Sequence, residues 1–388
     1  MSSVAHGIPT TRYAGRRAAA RDALGAAGAA AILVGPGADL RWLTGYAAPA
    51  LERLTMLILP AHGAATLLVP RLESQGAAAA PGMRAADVEL RTWEETEDPD
   101  LAVAASIGPE ARVAGARLLV GDRLWAMFLL RLQATLPAAR FGPASSVLRE
   151  LRMVKDLDER RLLREAAEAA DRVVLAVAAG RLIGRSEADV GREVRERLVA
   201  EGHDEAAFWI VGSGPNSAEP HHVPGDRAIG AGEPVVLDLG GTREGYASDT
   251  TRTLWVAGGD LGQAPDATFR HLYAVLEAAQ AAAIAAVRPG VACAAIDAAA
   301  RDPIAAAGFG PAFLHRTGHG IGLEGHEDPY LVAGNGELLR EGHAFSVEPG
   351  IYLEGRYGAR IEDIVLCGAA GPDPLNGTPR GLVVVSGT

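Results

Sequence analysis

The chain has 388 residues, 48% of them hydrophobic and 22% charged, which is enough for two ordinary domains and a large buried core. A net charge of -11 and a pI near 5.4 exclude the broad basic surface that binding to nucleic acid or an anionic membrane requires. The two cysteines, Cys293 and Cys367, make neither a disulfide framework nor a metal-type spacing, so a reducing cytoplasm is the expected compartment.

The first 25 residues, MSSVAHGIPTTRYAGRRAAARDALG, set arginines before a small-residue helix and not before an apolar core, so no secretory signal is expected. The most apolar early run, AAAILV at 29–34, is far below the roughly 20 residues of a membrane span. Short apolar runs at 31–34, 56–60, 65–70, 88–93 and 117–122 predict strands, and 16–28 and 124–136 predict helices. This pattern makes residues 1–150 an α/β domain. It contains no phosphate-cradling glycine loop and no cluster of polar residues suited to chemistry.

Asp156, followed three residues later by Glu159, has the spacing of a capping box and opens a helix at the start of a second domain, 151–388. Leu162, Ala166, Val173, Val174 and Val177 fall near one face of that helix. A faint repeat follows. A shift of 106 places Gly184, Val190, Leu198 and Gly202 on Gly290, Ile296, Ile304 and Gly308, and overlays VGSG (211–214) on TGHG (317–320). Each copy reads as a glycine turn, a helix, a glycine stop and a strand ending in Gly-x-Gly. Two related halves facing a common site are expected.

Five residues in this domain sit in Gly- or Pro-marked contexts: Asp238 in VVLDLGG, Asp249 in ASDTTRT, His319 in RTGHGIG, Glu348 in SVEPGIY and Glu362 in ARIEDIV. A hairpin centred on Arg243 and Glu244 places Asp238 opposite Asp249, with Cβ atoms roughly 5 Å apart. A hairpin about Gly355 does the same for Glu348 and Glu362. Carboxylates placed face to face destabilise a fold unless a cation compensates them. Four carboxylates and one imidazole form a hard, oxygen-rich set that suits two divalent ions sharing ligands, with Mn²⁺ favoured over a closed structural zinc. His319 lies between glycines, where backbone approaches a crowded site closely. His315 and His326 cluster around it, and His221 and His222 precede the first aspartate.

With these residues in view, 155–388 resembles the pita-bread metallopeptidases, the family of methionine aminopeptidase, aminopeptidase P and prolidase. The motifs SGPNSAEPHH, LDLGG, SDTTRT, GHGIGLEGHE, VEPGIY and RIED are similar to its proline-specific branch. Residues 1–150, with RWLTGY at 41–46, resemble the creatinase-like N-terminal domain of that branch. The resemblance implies an α+β pita-bread domain with internal pseudo-twofold symmetry behind an α/β domain. It implies that Asp238 chelates one metal, that Asp249 and Glu362 bridge two, and that His319 and Glu348 complete the second. Mn²⁺ is the foremost candidate, with Co²⁺, Zn²⁺ or Fe²⁺ as alternatives. It further implies a bridging hydroxide as nucleophile, with Glu348 as proton shuttle. His221 and His326 would bind the carbonyl oxygen, His315 would lie near the substrate, and Arg360 would orient the metal carboxylates. A homodimer is common in the family, and Trp42 and Tyr46 would be either part of a lid reaching the neighbouring subunit or packing within their own domain.

The expected activity is removal of the N-terminal residue from Xaa-Pro peptides, of aminopeptidase P or prolidase type. The alternatives are a hydrolase or lyase of the same fold acting on a small non-peptide substrate, and a binding module without metals. One position departs from the family: many dipeptidases of the branch carry, after the metal histidine, an arginine that grips the substrate carboxylate. This chain has Tyr330 there, in HEDPYLVAGN, so Arg340, Arg356 or a partner subunit is the expected source of any clamp.

Overall fold

A computed structural model describes residues 7–388, apart from the side chain of residue 260; the first six residues of the amino-terminal stretch read above lie outside the described residues. The chain divides into two compact units, Met1–Arg152 and Met153–Thr388. Among the described residues, no helix is long and apolar enough to cross a membrane.

The first unit is a six-stranded sheet of β1 (Ala31–Val34), β2 (Met56–Pro60), β3 (Ala65–Pro70), β4 (Val88–Trp93), β5 (Arg117–Val120) and β6 (Arg140–Pro143), in the order β4-β3-β2-β1-β5-β6. The first five are the apolar runs. β6, with sequence RFGP, is too short and too poor in β-formers to stand out. Helices α1 (Thr10–Ala26), α2 (Ala38–Thr44), α3 (Ser74–Ala79), α4 (Pro99–Ser106), α5 (Ala126–Thr135) and α6 (Ser145–Met153) complete this part of the chain. Trp42 on α2 is 5% exposed and Tyr46 7%. The Arg16 guanidinium lies 5.0 Å from the Trp42 ring centre, so Trp42 packs within its own unit.

In the second unit α7 (Leu157–Ala178) starts at the expected capping box. Asp156 Oδ1 accepts from the Asp158 and Glu159 amides at 2.9 and 3.0 Å, and Glu159 Oε2 accepts from the Asp156 amide at 2.8 Å. The five apolar residues assigned to one face of α7 are all buried.

The repeat is written into the fold. Helices α8 (Glu187–Ala200) and α10 (Cys293–Ala306) have bounds that differ by 106 at both ends; α9 (Ala267–Ala286) lies between them in the chain. The glycines before and after them, Gly184 and Gly290, Gly202 and Gly308, all have φ between 76° and 103°, a region that favours glycine. Each half also buries one helix carboxylate against its strand. Glu187 Oε1 accepts from Ser213 N and Oγ at 2.8 and 2.6 Å, and Asp297 Oδ1 from Thr317 N and Oγ1 at 3.1 and 2.7 Å.

The strands are β7 (Glu205–Ser213), β8 (Glu233–Arg243), β9 (Tyr246–Ala247), β10 (Thr250–Val256), β11 (Gly318–Gly320), β12 (Glu327–Leu331), β13 (Ala344–Val347), β14 (Gly350–Leu353), β15 (Tyr357–Arg360), β16 (Asp363–Gly368), β17 (Gly371–Pro374) and β18 (Val383–Val385). One sheet runs β18-β10-β8-β7 with β9 on β8, a second β12-β11-β13-β16-β17, and β14 pairs with β15. A single bridge, Thr251 to Glu362, links the first two sheets.

The hairpin holding Asp238 and Asp249 departs from its expected register. Its turn residues are Glu244 (φ 50°) and Gly245 (φ 81°), the two positive φ values of a type I′ turn. The turn is thus one residue later than Arg243–Glu244, and β8 pairs Asp238 with Thr251, not Asp249. Asp249 sits two positions nearer the turn, diagonal to Asp238 on the same face. The second hairpin keeps its expected register, with Val347 opposite Asp363 and Gly350 opposite Arg360, which sets Glu348 against Glu362.

Gly245→Ala forces a β-carbon into the left-handed region and is expected to lower stability by about 1–2 kcal/mol. Chemical denaturation checks this against Gly336→Ala, which is exposed and has open space around it and should stay within about 0.5 kcal/mol of the parent.

Candidate metal centre

The two hairpins and β11 converge. Asp238, Asp249 and Glu362 each offer an oxygen, and these lie within 4.8 Å of one another. His319, Glu348 and Glu362 form a second such group, and Asp249, His319 and His326 a third. The five residues expected as ligands are therefore all brought together, with Glu362 common to the first two groups. His319 Nε2 is 3.2 Å from Glu348 Oε1 and 3.6 Å from Asp249 Oδ2. The flanking glycines are needed for packing, since a β-carbon at Gly318 would overlap the Ser346 carbonyl and one at Gly320 the Asp328 carbonyl.

Four carboxylates in so small a volume repel one another. Burial, then the charges of Asp238 and Glu348, push the Asp249 carboxyl well above its ordinary range. Burial, then Asp249, Glu348 and Asp238, do the same to Glu362. Burial would also raise Glu348, but the hydrogen bond and charge of His319 outweigh it and hold that carboxyl down at about 2. Burial works against protonation of His319, yet Glu348 and Asp249 leave its pKa raised. Asp238 Oδ1 and Glu362 Oε1 are buried and have no hydrogen-bond partner. Such atoms cost about 1–3 kcal/mol each when left unsatisfied. Orphaned carboxylate oxygens within a mutually repelling oxygen-rich set fit divalent cations.

Arg360, expected to orient the carboxylates, is 3% exposed and donates through Nη2 to Asp238 Oδ2. Its Nε donates to Thr251 Oγ1 at 3.0 Å, and that hydroxyl donates to Glu362 Oε2 at 2.8 Å. Its Nη1 donates to Tyr352 Oη at 2.7 Å. Tyr352 Oη in turn lies 2.8 Å from His315 Nε2, while His315 Nδ1 lies 2.7 Å from the Arg316 carbonyl. A carbonyl only accepts, so His315 carries its proton on Nδ1 and accepts from Tyr352 at Nε2. Burial lowers the His315 pKa, keeping that neutral tautomer.

Thr251, Ser346 and Tyr352 were not singled out from sequence. Ser346 Oγ accepts from His319 N at 3.0 Å and donates to Glu348 Oε1 at 3.1 Å. Their signal was alternation: Thr251 lies two residues after Asp249, and Ser346 two before Glu348, so in extended chain each shares its ligand's face.

The site floors a cavity of about 1080 Å³ whose lining includes Phe208, Ile210, His221, His315, His326 and Arg316. The His326 ring stands 3.8 Å from that of His319, and its Nδ1 is 3.4 Å from Arg316 Nη2. Guanidinium only donates, so neutral His326 bears its proton on Nε2. Burial, then the charges of His319 and Arg316, lower its pKa to about 4. The next residue, Glu327, is anchored by Lys155 at 2.5 Å. His221 lines the cavity, whereas His222 lies 2.7 Å from buried Glu187 and is structural.

Residues 161–369 match the metallopeptidase family M24, and 16–154 match the Creatinase/Prolidase N-terminal domain. The chain belongs to metallopeptidase family M24. This M24 enzyme is 47% identical to the probable dipeptidase PepE of Mycobacterium tuberculosis, over 96% of each chain. It is also similar to the crystal structure of dipeptidase PepE from Mycobacterium ulcerans, with a TM-score of 0.90, 46% identity and 98% and 99% of the two chains covered. For the Xaa-Pro dipeptidase of Bacillus anthracis the values are 0.86, 28%, and 96% and 100%. The pita-bread catalytic domain expected from sequence, behind its creatinase-like domain, is the fold of this M24 chain.

The raised carboxyl groups make metal-free stability depend on pH. A carboxyl whose folded pKa exceeds its unfolded value favours the folded state most at low pH, and that stability is lost as pH rises toward the folded pKa. Asp249 and Glu362, and His319 with its raised pKa, act in this same direction. The gap in melting temperature between Mn²⁺-loaded and chelator-stripped protein is therefore expected to widen steadily from pH 5 to pH 8 in thermal scans. A gap independent of pH contradicts the charge repulsion described.

Proposed function

We propose that this M24 enzyme is a dinuclear metal-dependent exopeptidase that releases the N-terminal residue from Xaa-Pro peptides, with the dipeptide as preferred length. The observation that carries the reading is the pair of ligand groups sharing Glu362 at the base of the cavity. In it, Asp238, Asp249 and Glu362 hold one cation and His319, Glu348 and Glu362 the other, Mn²⁺ being the favoured ion for so oxygen-rich a set. Two bound cations would supply Lewis acidity at the scissile carbonyl and a water acidified to near-neutral pH.

The protein groups divide the remaining work. Glu348 Oε1 is engaged by Ser346 and His319, while Oε2 is the atom left to carry a proton from the attacking water to the leaving amine. His326, with Nε2–H as donor, and His221 provide hydrogen bonds for the oxygen that gains charge in the transition state. His315 acts through Tyr352, which together with Arg360 fixes the Asp238 carboxylate. A tertiary amide before proline has no N–H. A site working on the carbonyl side does not depend on that proton. The resemblance in overall fold to the Xaa-Pro dipeptidase supports the same choice of bond.

The test strips the metal, reloads Mn²⁺, Co²⁺ or Zn²⁺, and compares Xaa-Pro dipeptides with Xaa-Pro tripeptides. Metal-dependent cleavage is expected, reduced at least about a thousandfold in kcat/KM by Asp249→Asn, since one exchange removes a charge shared by the ligand groups. Absence of cleavage with two equivalents of metal bound sinks the peptidase reading and favours a small non-peptide substrate.

A further inference from the structure

A substrate two residues long presents a free carboxylate next to the bond that breaks, and the position where dipeptidases of this branch often carry an arginine holds Tyr330. The structure supplies a different cation at the same place. Tyr330 on β12 is the cross-strand partner of His319 on β11, so its ring rises beside the metal centre. Arg316, three residues before His319, lays its guanidinium 4.3 Å from the centre of that ring. Stacking on an aromatic face orients a guanidinium while leaving its edge donors free.

Of the basic side chains lining the cavity, Arg316 and Arg360 are the two arginines. Arg360 is committed to Asp238, Thr251 and Tyr352. Arg316 has no carboxylate partner among the described residues; its one side-chain hydrogen bond is the 3.4 Å contact to His326. The sources expected from sequence do not serve, since Arg340 and Arg356 are not part of the cavity lining and contact His343 and Tyr357 respectively. The distances also suit a dipeptide. His326 bridges Arg316 to His319, and a carboxylate one residue beyond the scissile carbonyl lies at most about 3.6 Å further along the chain.

Resting on the peptidase reading above, we propose that Arg316, held flat by Tyr330, binds the free C-terminal carboxylate of the dipeptide substrate. The proline-side specificity of this enzyme then comes from an arginine on the metal-histidine strand side, with the tyrosine as its support. A bidentate guanidinium–carboxylate pair rewards a free carboxylate and gives nothing to a carboxamide of the same shape.

The experiment measures kcat and KM for Ala-Pro and for Ala-Pro carboxamide with Mn²⁺-loaded protein: parent, Arg316→Gln, Arg316→Lys, Tyr330→Phe and Tyr330→Ala. The parent is expected to favour the free acid about 10–100-fold in kcat/KM, the range of a hydrogen bond to a charged group. Arg316→Gln should collapse that ratio toward one, chiefly by raising KM for Ala-Pro. Arg316→Lys and Tyr330→Ala should retain part of it, and Tyr330→Phe nearly all. Because the readout is a ratio of two substrates, a general loss of activity or folded protein cancels. A ratio unchanged in Arg316→Gln, or a parent that cleaves acid and carboxamide equally well, overturns the role of Arg316 while leaving the peptidase reading intact. A parent that cleaves neither overturns both.

Discussion

Mutual repulsion among Asp238, Asp249, Glu348 and Glu362 is the constraint around which the catalytic unit is arranged. Carboxylates seldom share a buried volume, and here only Arg360 and His319 offset them directly. The structure meets the problem with rigid devices. A type I′ turn sets one pair on a common strand face, a tight second hairpin sets the other pair opposite each other, and glycines around His319 let three strands approach. Two buried carboxylate oxygens are still left without partners. The fold therefore holds its ligands close together at a cost in stability that divalent cations relieve, an arrangement common at functional sites.

The internal repeat explains how a single chain builds such a site. Each half contributes a helix bounded by left-handed glycines and a buried carboxylate that grips a serine or threonine on the following strand. In the second half that strand continues from Thr317 to His319. In the first it leads from Ser213 toward the loop bearing His221. The halves are equivalent in backbone and have diverged in chemistry, one supplying a ligand imidazole and the other a donor at the cavity wall. Thr251, bridged to Glu362, ties the two sheets at the point where the ligand groups meet.

Support around the ligands is a continuous polar chain. Asp238 is held by Arg360, Arg360 by Thr251 and Tyr352, Tyr352 by His315, and His315 by a backbone carbonyl. Each member has a donor facing an acceptor, so orientation is conveyed over several residues without a mobile link. His315 thereby acts at a distance from the metal groups, as a positioning residue.

Local chemistry was legible in the linear sequence. The apolar runs of β1–β5, the capping box at Asp156 and Glu159, the 106-residue repeat, and the five ligand candidates all depend on spacings within a turn, a strand or a hairpin, where neighbours in sequence are neighbours in space. The one misplaced register has the same origin: the turn at Glu244 and Gly245 needs two positive φ values, and centring the hairpin one residue early shifts every pair by two. What the tertiary structure alone decided are contacts between distant segments. Arg360 meets Asp238 across 122 residues, Thr251 meets Glu362 across 111, and Lys155 meets Glu327 across 172. The stacking of Arg316 on Tyr330 belongs with these, because a strand pairing brings together side chains whose separation in sequence carries no periodic signal. Ligand identity was therefore a property of the sequence, while the partners that hold, neutralise and orient those ligands came from the packing of two sheets.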